Sequence, residues 1–457
     1  MLTFFVRKNI LSNKGKIFYY FLKMGYNRIR KKWTSMNYRK MRKDNYTLHL
    51  INTDRFKKVD FSIKFTKNYV KEDIPYYKLL EKVLAFNGSK KYKTVQEISK
   101  KLEYLYNTSL GFSFYTTSKN MVFEVNMSII NPKYVKDFNI SEALEVMNEL
   151  LVNPLIKDEM FDEKVFDLEK DNLIKSIMNV KDNPEGYALL KFEELFFKNT
   201  VYSENNYKNI GMFKELNNKV LYKKYRELFN SFKIDAFVIG EINEEEIIEG
   251  LNIVLKDFKE SDNFNKDLYI NINPKFIETK EEINTNQSNL IIGLTFNNLT
   301  EEEKDYKLVL FNTILGCMNN SVLFVNVREN HSLCYTIGST INRFTSSIVI
   351  SSGINKNNYS EALFLIKESL DSMTDKNTIK PLLTNAKKTL NISYNDFYDN
   401  AKKIINYYYI NEFVSLPSIE ERRNKILNMS EEDVIDIAKK SEVKTIFLLE
   451  GSINEED

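Results

Sequence analysis

The sequence predicts an α+β fold built from two related halves. The chain has 457 residues, which exceeds one ordinary hydrophobic core and suits two domains of about 200 residues each. Segments with strand and helix patterning recur in the same order along the chain. Because these strands and helices do not alternate regularly, they favour α+β halves over the β/α units of a parallel sheet.

The internal repeat has an offset of about 210 to 230 residues. Its members lie in an apolar helix, at the start of an amphipathic helix, and in a strand that precedes a glycine. The pairs are YKLL at 77–80 with YKLV at 306–309, SEAL at 141–144 with SEAL at 360–363, and 234–239 with 443–449. The shared order makes duplication a better explanation than chance.

Strand patterning opens each half, at 46–51 and 59–65 and again at 289–296. A long helix, a hairpin, further helices and a final strand follow in each half. Residues 256–286 are rich in Asn, Lys, Asp and Glu and lack a sustained period, which is typical of a linker. The predicted organisation is an N-terminal extension at 1–44, a first domain at 45–255, the linker at 256–286 and a second domain at 287–457.

The composition excludes several classes of site. Cys317 and Cys334 are too few for a disulfide framework, and they favour a reducing, cytoplasmic setting. His49 and His331 lie too far apart for a local two-histidine metal motif, so an ordinary structural role is the better explanation for each. The chain has no phosphate-binding loop, no dinucleotide fingerprint and no GxSxG motif.

Positive charge is concentrated at the beginning of the chain. Residues 1–44 contain thirteen Lys or Arg and one Asp, whereas the rest contains 53 basic and 62 acidic residues. Such a segment could bind an anionic membrane or a nucleic acid. Its longest apolar run, 17–22, is too short for a signal-peptide core or a membrane span. A disordered or loosely helical extension is the simpler interpretation, and a translation start at Met36 or Met41 would also explain it.

The most informative motif is ILGCMNNSVLFVNVRENHSLCYTIG at 314–338. An apolar helix is predicted at 321–329 with Arg328 in its last turn, where a cation complements the carbonyl end of the helix. A turn and a hairpin, 333–341 with 347–354, follow the helix, and Tyr335 lies on the first strand. An arginine and a tyrosine in these places could direct two donors at one carbonyl oxygen.

The full pattern of ILG, four residues, SxLF, xxVRE, three residues and LxY resembles the second-domain signature of the insulinase-type (M16) peptidase family. The resemblance covers 45–457 and implies two duplicated domains of the LuxS/metallohydrolase-like type. Each would be a mostly antiparallel sheet packed with helices, and the two would face each other across a chamber. In this family the matching arginine and tyrosine bind the substrate backbone, so Arg328 and Tyr335 are the expected substrate-binding residues. The family commonly has glycine where Ser332 stands.

Active members of this family carry HxxEH on a helix of the first half, where two histidines bind zinc and the glutamate is the general base. The matching helix is predicted at 76–86, and Lys78 and Lys82 stand at the histidine positions. Glu81 remains, but a protonated lysine offers no lone pair to a metal. The family's third ligand is a glutamate, and Ser176 takes its place. The resemblance therefore implies a degenerate zinc site, with no cofactor in this chain and zinc only in a partner chain.

The resemblance implies a non-catalytic M16 subunit, and within the family the chain resembles the bacterial YmfF-like branch. Its expected role is to bind peptide and complement an HxxEH-bearing partner in proteolysis, as a heterodimer. A structural or scaffold protein that keeps the fold without binding peptide is the first alternative. An adaptor that attaches to a membrane or nucleic acid through residues 1–44 is the second.

Overall fold

Two β-sheets with helices packed against them organise the protein. The structure is a computed structural model that describes residues 36–452. The strands are β1 (Asn37–Arg42), β2 (Thr47–Asn52), β3 (Lys58–Asn68), β4 (Ser109–Thr117), β5 (Asn120–Ile130), β6 (Lys233–Gly240), β7 (Ile277–Ile283), β8 (Ser288–Phe296), β9 (Cys334–Asn342), β10 (Ser347–Ile354) and β11 (Ser441–Gly451).

Helices fill the segments between the strands. The α-helices are α1 (Ile74–Phe86), α2 (Val95–Tyr104), α3 (Ile140–Val152), α4 (Glu163–Met178), α5 (Pro184–Phe196), α6 (Ile210–Lys214), α7 (Asn218–Glu227), α8 (Glu244–Leu255), α9 (Leu308–Asn312), α10 (Tyr359–Ser372), α11 (Lys376–Phe397), α12 (Ala401–Ile410), α13 (Ile419–Leu427) and α14 (Glu431–Ala438). Segments of π-helix lie at Glu303–Lys307, Thr313–Cys317 and Phe324–Glu329.

Apart from the additional strand β1 of the first sheet, the two sheets have the same strand arrangement. The first sheet has the order β1-β2-β6-β3-β5-β4, and the second has the order β7-β11-β8-β10-β9. In each sheet the opening strand of the repeat pairs in parallel with the last strand, β2 with β6 and β7 with β11. The other pairs are antiparallel. This correspondence confirms the predicted α+β fold of two duplicated, mostly antiparallel halves.

Two strands lie in segments that the sequence indicates as irregular. β1 falls inside the predicted extension 1–44 and pairs with β2, while residues 1–35 lie outside the described residues. β7 falls inside the predicted linker 256–286 and pairs with β11. Both are edge strands whose side chains are mostly polar and partly exposed, so neither shows the period of a half-buried strand. The second repeat therefore includes β7 and begins before residue 287.

The first-half helix α1 shows how the sequence fixes side-chain directions at the site. Pro75 lies in its first turn, where the missing N–H is not needed. Tyr77, Leu80 and Leu84 are fully buried in the core formed with the first sheet. Each such side chain contributes about 1.5 to 3 kcal/mol through burial. This buried stripe orients the intervening residues, including Lys78, relative to the sheet.

Each half supplies a helix to the sheet of the other half. From the second half, Ile404 and Tyr409 of α12 pack with Ile51 and Phe237 on the first sheet. The hydroxyl oxygens of Thr66 and Tyr409 lie 2.9 Å apart, which adds a buried hydrogen bond. The face carrying Phe237 is opposite the face that forms the first core, because successive strand residues alternate.

The reciprocal contact involves α5 of the first half. Phe192 and Phe196 pack with Ile291 and Phe447 on the second sheet. Their rings come so close to Gly293 of β8 that an added Cβ would lie 2.6 Å from the nearest ring atoms. The two halves therefore share hydrophobic cores in addition to their own. Within residues 36–452, no helix combines the length and apolar character needed to cross a bilayer.

Candidate functional site

Lys78 of α1 contacts the edge of the first sheet. Its ammonium donates a hydrogen bond to the Phe114 carbonyl oxygen at 2.8 Å and lies 5.7 Å from the centroid of the Phe114 ring. Burial lowers the pKa of Lys78, and the Glu81 carboxylate opposes that effect in part. The lysine at this position is thus held by the backbone of β4.

Glu81 contacts the backbone amide of Phe114, the residue whose carbonyl oxygen bonds to Lys78. Its Oε2 accepts a hydrogen bond from the Phe114 amide at 2.5 Å, and the Lys82 ammonium lies 3.4 Å from Oε1. Phe114 lies on β4, which is an edge strand of the sheet. An open edge offers unpaired N–H and C=O groups to another strand. Lys78 and Glu81 occupy both groups of Phe114, so α1 caps the edge at this point.

Ser176 of α4 is exposed and lies on the wall of a cavity of about 510 Å³. Lys78 and Phe114 line the same cavity. The structure therefore brings Lys78 and Ser176, two of the predicted degenerate zinc positions, to one cavity. Lys82 does not line it, and its side chain is about half exposed, at 48%.

The donor set at these positions does not fit zinc. Zinc sites use thiolate, imidazole or carboxylate ligands, usually four of them. Lys78 and Lys82 carry ammonium groups, and Ser176 carries a neutral hydroxyl. Glu81 is the one carboxylate of the set, and its oxygens already face the Phe114 amide and the Lys82 ammonium. No catalytic step through a metal can be derived from these residues.

Arg328 lies at the end of the π-helical segment Phe324–Glu329, in the last turn as the sequence predicts. The π-helical backbone differs from the ordinary helix that the apolar pattern indicates, and its wider turn is visible in the bond from the Asn330 amide to the Val325 carbonyl oxygen. The Arg328 guanidinium lies 4.8 Å from the centroid of the Phe324 ring. Its side chain is exposed, and within the described part of the chain it makes no ion pair.

The turn after this segment passes through Ser332, whose φ of 54° is left-handed. Glycine adopts this conformation without the steric cost of a side chain, whereas an L-residue costs about 1 kcal/mol. The turn therefore keeps the backbone conformation that suits the family's usual glycine, although serine occupies the position. Its geometry leads directly into β9.

Tyr335 is the second residue of β9, which is the edge strand of the second sheet. Its side chain is 53% exposed. Arg328 and Tyr335 line one pocket of about 300 Å³, together with Ser332, Cys334 and Asn358 among others. The structure thus brings the two residues of the motif to a single concave surface. That surface could receive a polar backbone group from an extended peptide.

Cys334 does not supply a nucleophile to this pocket. It is buried, and burial raises the pKa of its thiol, although a hydrogen bond with Ser352 and the charge of Arg328 oppose that effect in part. A raised pKa disfavours the thiolate, which is the reactive form. The thiol is better explained as a small packed side chain in the core of the second half.

A largely buried polar cluster between the first sheet and the segment after α12 could not be predicted from the sequence. His49, Asp235 and Glu412 place one potential ligand atom each within 4.8 Å of one another. His49 Nε2 lies 3.2 Å from Asp235 Oδ1, and His49 Nδ1 lies 2.8 Å from the Tyr38 hydroxyl. The sequence signal for this cluster is weak, because its members come from distant segments. The one local hint is the pair of charged residues that opens the buried strand β6.

Lysine ammonium groups supply the positive charge of this cluster. Lys233 donates to both carboxylate oxygens of Asp235 and lies 3.8 Å from Glu412, while Lys40 donates to Glu412 at 2.7 Å. Burial alone would raise the pKa of Asp235, but His49 and Lys233 outweigh it and lower that pKa. The cluster is therefore a charge-balanced network that joins the first sheet to the segment after α12, and His49 has a structural role.

Comparisons with known proteins agree with this architecture. Residues 215–390 match the family described as "Peptidase M16 inactive domain". The chain is 24% identical over 424 residues to the protein named "Probable inactive metalloprotease YmfF" from Bacillus subtilis, covering 91% of this chain and 98% of that protein.

Solved structures share the fold over nearly the whole chain. A conserved protein from Enterococcus faecalis V583 has a TM-score of 0.83 and 24% identity, and the match covers 91% of this chain and 99% of that one. A peptidase M16 inactive domain from Pseudomonas fluorescens has a TM-score of 0.72 and 15% identity, covering 92% and 99%. The duplicated sheets, the Arg328 and Tyr335 motif and these matches agree: the chain is similar to inactive metalloprotease homologues of the M16 type, and its residues 215–390 match that family's inactive domain.

Proposed function

We propose that this chain is a non-catalytic M16 subunit that binds peptide and complements a zinc-bearing partner in proteolysis. The observation that carries the proposal is the pairing of Arg328 and Tyr335 on one exposed pocket. Neither residue supplies the attacking nucleophile, since Arg328 offers charged N–H donors and Tyr335 offers a neutral hydroxyl. Both can stabilise a carbonyl oxygen that becomes negative during hydrolysis.

The partner in this proposal is an M16 chain with an intact HxxEH motif. The need for it follows from the donor set in the first half, where Lys78, Lys82 and Ser176 replace the metal ligands. We therefore expect no zinc or other cofactor in this chain and one zinc in the partner. We place the assembly in the cytoplasm, because two cysteines without a disulfide suit a reducing compartment.

The proposal is tested by mixing the purified chain with such a partner. Complex mass is measured by light scattering, and kcat/KM is measured for cleavage of an unstructured peptide. We expect the mixture to cleave and each chain alone to be inactive. Arg328→Ala and Tyr335→Phe should each lower kcat/KM of the mixture by about 100-fold, the usual cost of one oxyanion donor. Complex mass should not change.

Two matched controls separate this role from general surface effects. Arg226 also ends a helix with its guanidinium over a ring, 4.3 Å from the Phe229 centroid, so Arg226→Ala removes a similar contact elsewhere. Tyr104 is 73% exposed, and Tyr104→Phe removes a hydroxyl from another part of the surface. Both controls should leave cleavage unchanged. Full cleavage in both Arg328→Ala and Tyr335→Phe would reject the proposal.

A scaffold role is the second candidate, and one observation favours it. Lys78 and Glu81 cap the β4 edge, so these two residues help to hold the fold together. Under this alternative the complex forms, yet its cleavage does not depend on Arg328 or Tyr335. An adaptor role through the basic segment is a third candidate, and deletion of residues 1–35 with intact binding and localisation would remove it.

A further inference from the structure

The cavity beside α1 has the size and lining of a ligand site. Its volume of about 510 Å³ lies within the range of small-molecule pockets, roughly 300 to 1,000 Å³. Apolar side chains such as Ile74, Ile177 and Met212 line it together with the amide side chains of Asn206 and Asn209. Apolar walls with a few polar groups are the usual composition of a binding pocket.

The charges on the cavity wall do not cancel. The charged lining residues are Lys71, Lys78 and Glu204. Lys71 pairs with Glu204 at 2.6 Å, and Lys208 adds a second ion pair to the same carboxylate at 3.1 Å. Burial acts to raise the pKa of Glu204, but the bonds from Lys71, Asn209 and Lys208 outweigh it and lower the pKa to about 2. Glu204 is thus fully paired, and Lys78 supplies the remaining positive charge.

The Lys78 ammonium has N–H donors that its bond to Phe114 does not use. An ammonium group carries three N–H donors, and the bond to the Phe114 carbonyl oxygen uses one of them. Across the described residues, no carboxylate lies within 4.0 Å of its nitrogen. A partly buried cation without a direct ion pair is costly, and a bound anion would relieve that cost.

Two further polar groups on the wall are available to a ligand. The Ser176 hydroxyl and the Asn206 side chain have no hydrogen-bond partner within residues 36–452, and both line the cavity. A serine hydroxyl and a carboxamide can each donate and accept, which matches the N–H and C=O groups of a peptide backbone. The apolar residues suit one or two small side chains.

We propose that this cavity binds the end of a short peptide, with the Lys78 ammonium pairing with a carboxylate and the amide groups contacting the backbone. This site is separate from the pocket of Arg328 and Tyr335, and the proposal does not depend on their role. It gives the degenerate first-half site a binding function of its own. The recognised group is a carboxylate, which a peptide offers either at its C-terminus or on an acidic side chain.

The test uses the purified chain alone and three acetylated tripeptides, with binding measured by isothermal titration calorimetry or NMR. The first is alanine-leucine-alanine with a free carboxylate, the second is its C-terminal amide, and the third is an amide that ends in aspartate. The free acid should bind, and the plain amide should bind at least about tenfold more weakly, because one charged hydrogen bond is lost. The aspartate amide distinguishes the sources: tight binding supports recognition of any carboxylate, and weak binding supports recognition of the chain end.

Three variants test whether the peptide binds at this cavity. Lys78→Met should weaken binding of the free acid at least about tenfold. Lys82→Met removes an ammonium from the same helix outside the cavity and should leave affinity unchanged. Ser176→Phe narrows the cavity but keeps the bond between Lys78 and Phe114, so it should also weaken binding. Circular dichroism checks that each variant is folded. The proposal would be overturned if folded Lys78→Met and Ser176→Phe both bound the free acid as tightly as the unaltered chain does, or if neither carboxylate peptide bound to the unaltered chain.

Discussion

The Lys78 ammonium lies 2.8 Å from the carbonyl oxygen of Phe114, so helix α1 bonds through this residue to the edge of the first sheet. The same strand residue offers its amide to Glu81. In an active relative of the family, this helix face would hold zinc. In this chain it satisfies the backbone of β4 and leaves one cation facing a cavity. Lys78 and Glu81 thus form a structural contact with the sheet edge.

The contact of Glu81 with the sheet edge predicts a loss of stability on truncation. Glu81→Ala leaves the Phe114 amide without its acceptor, and a part-buried unsatisfied donor costs about 1 to 3 kcal/mol. We expect the free energy of unfolding in urea to fall by that amount. Lys82→Ala is the matched control, because an exposed ion pair contributes at most about 1 kcal/mol. Equal effects of the two variants would contradict the capping role.

Each half packs a helix against the sheet of the other half. We therefore predict that a larger residue at Gly293 lowers the stability of the protein. A Cβ at this position would lie 2.6 Å from ring atoms of Phe196, so Gly293→Ala should push α5 away from the second sheet. Overpacking of this kind typically costs about 1 to 3 kcal/mol in the free energy of unfolding. Gly211→Ala is the control, since its Cβ would meet no atom within 4 Å. If urea denaturation shows Gly293→Ala to be as stable as Gly211→Ala, then α5 does not pack closely against Gly293 of the second sheet.

The left-handed turn before β9 predicts a gain in stability for glycine. Ser332→Gly removes a backbone strain of about 1 kcal/mol, which the greater flexibility of unfolded glycine offsets in part. We expect a small rise in the midpoint of thermal unfolding. Ser176→Gly, in the last turn of helix α4, should lower it instead. A fall in the midpoint for Ser332→Gly would show that the serine side chain makes a stabilising contact.

Glu193 of α5 predicts a dependence of stability on pH. Burial raises the pKa of Glu193 from its ordinary value of 4.5 to about 7. Between these pH values the folded protein retains a proton that the unfolded chain releases, so the free energy of unfolding falls as pH rises. Glu193→Gln should therefore be more stable than the unaltered chain at about pH 8, by at most about 3 kcal/mol. The gain should shrink towards pH 4.5.

The neighbouring residue provides the control for this experiment. Glu194 accepts hydrogen bonds from Lys191 at 3.2 Å and Asn205 at 2.8 Å, so its charge is already compensated. Glu194→Gln should give no gain in stability at high pH. Urea denaturation of both variants at about pH 4.5 and about pH 8 measures whether their stabilities depend differently on pH. A pH-independent effect of Glu193→Gln would mean that the carboxyl is ionised and solvated in the folded protein.

The sequence predicts much of the second-half site because its signals are local. The hairpin expected at 333–341 and 347–354 agrees with β9 and β10 to within a residue, since strand alternation and a polar turn define it. The helix expected at 76–86 agrees with α1, whose buried stripe is continuous. The π-helical backbone before Asn330 has no comparable pattern in the residues, and only the structure reveals it.

Features that depend on contacts between distant segments cannot be predicted from the sequence. β7 carries mostly charged residues, so its pairing with β11 is a consequence of tertiary context. The exchange of α5 and α12 between the sheets leaves no local signal either, because an apolar helix face does not specify its partner. The same holds for the network of His49, whose partners come from the end of the first half and from the segment after α12.

The central claim is that this chain has lost its own metal site, and its zinc content tests that claim most directly. After equilibration with zinc and removal of free metal by gel filtration, we predict far less than one zinc per chain by elemental analysis. The combined variant Lys78→His, Lys82→His and Ser176→Glu restores the ligand types of the family and should bind about one zinc per chain. One zinc per unaltered chain, lost in Glu81→Gln, would contradict the account.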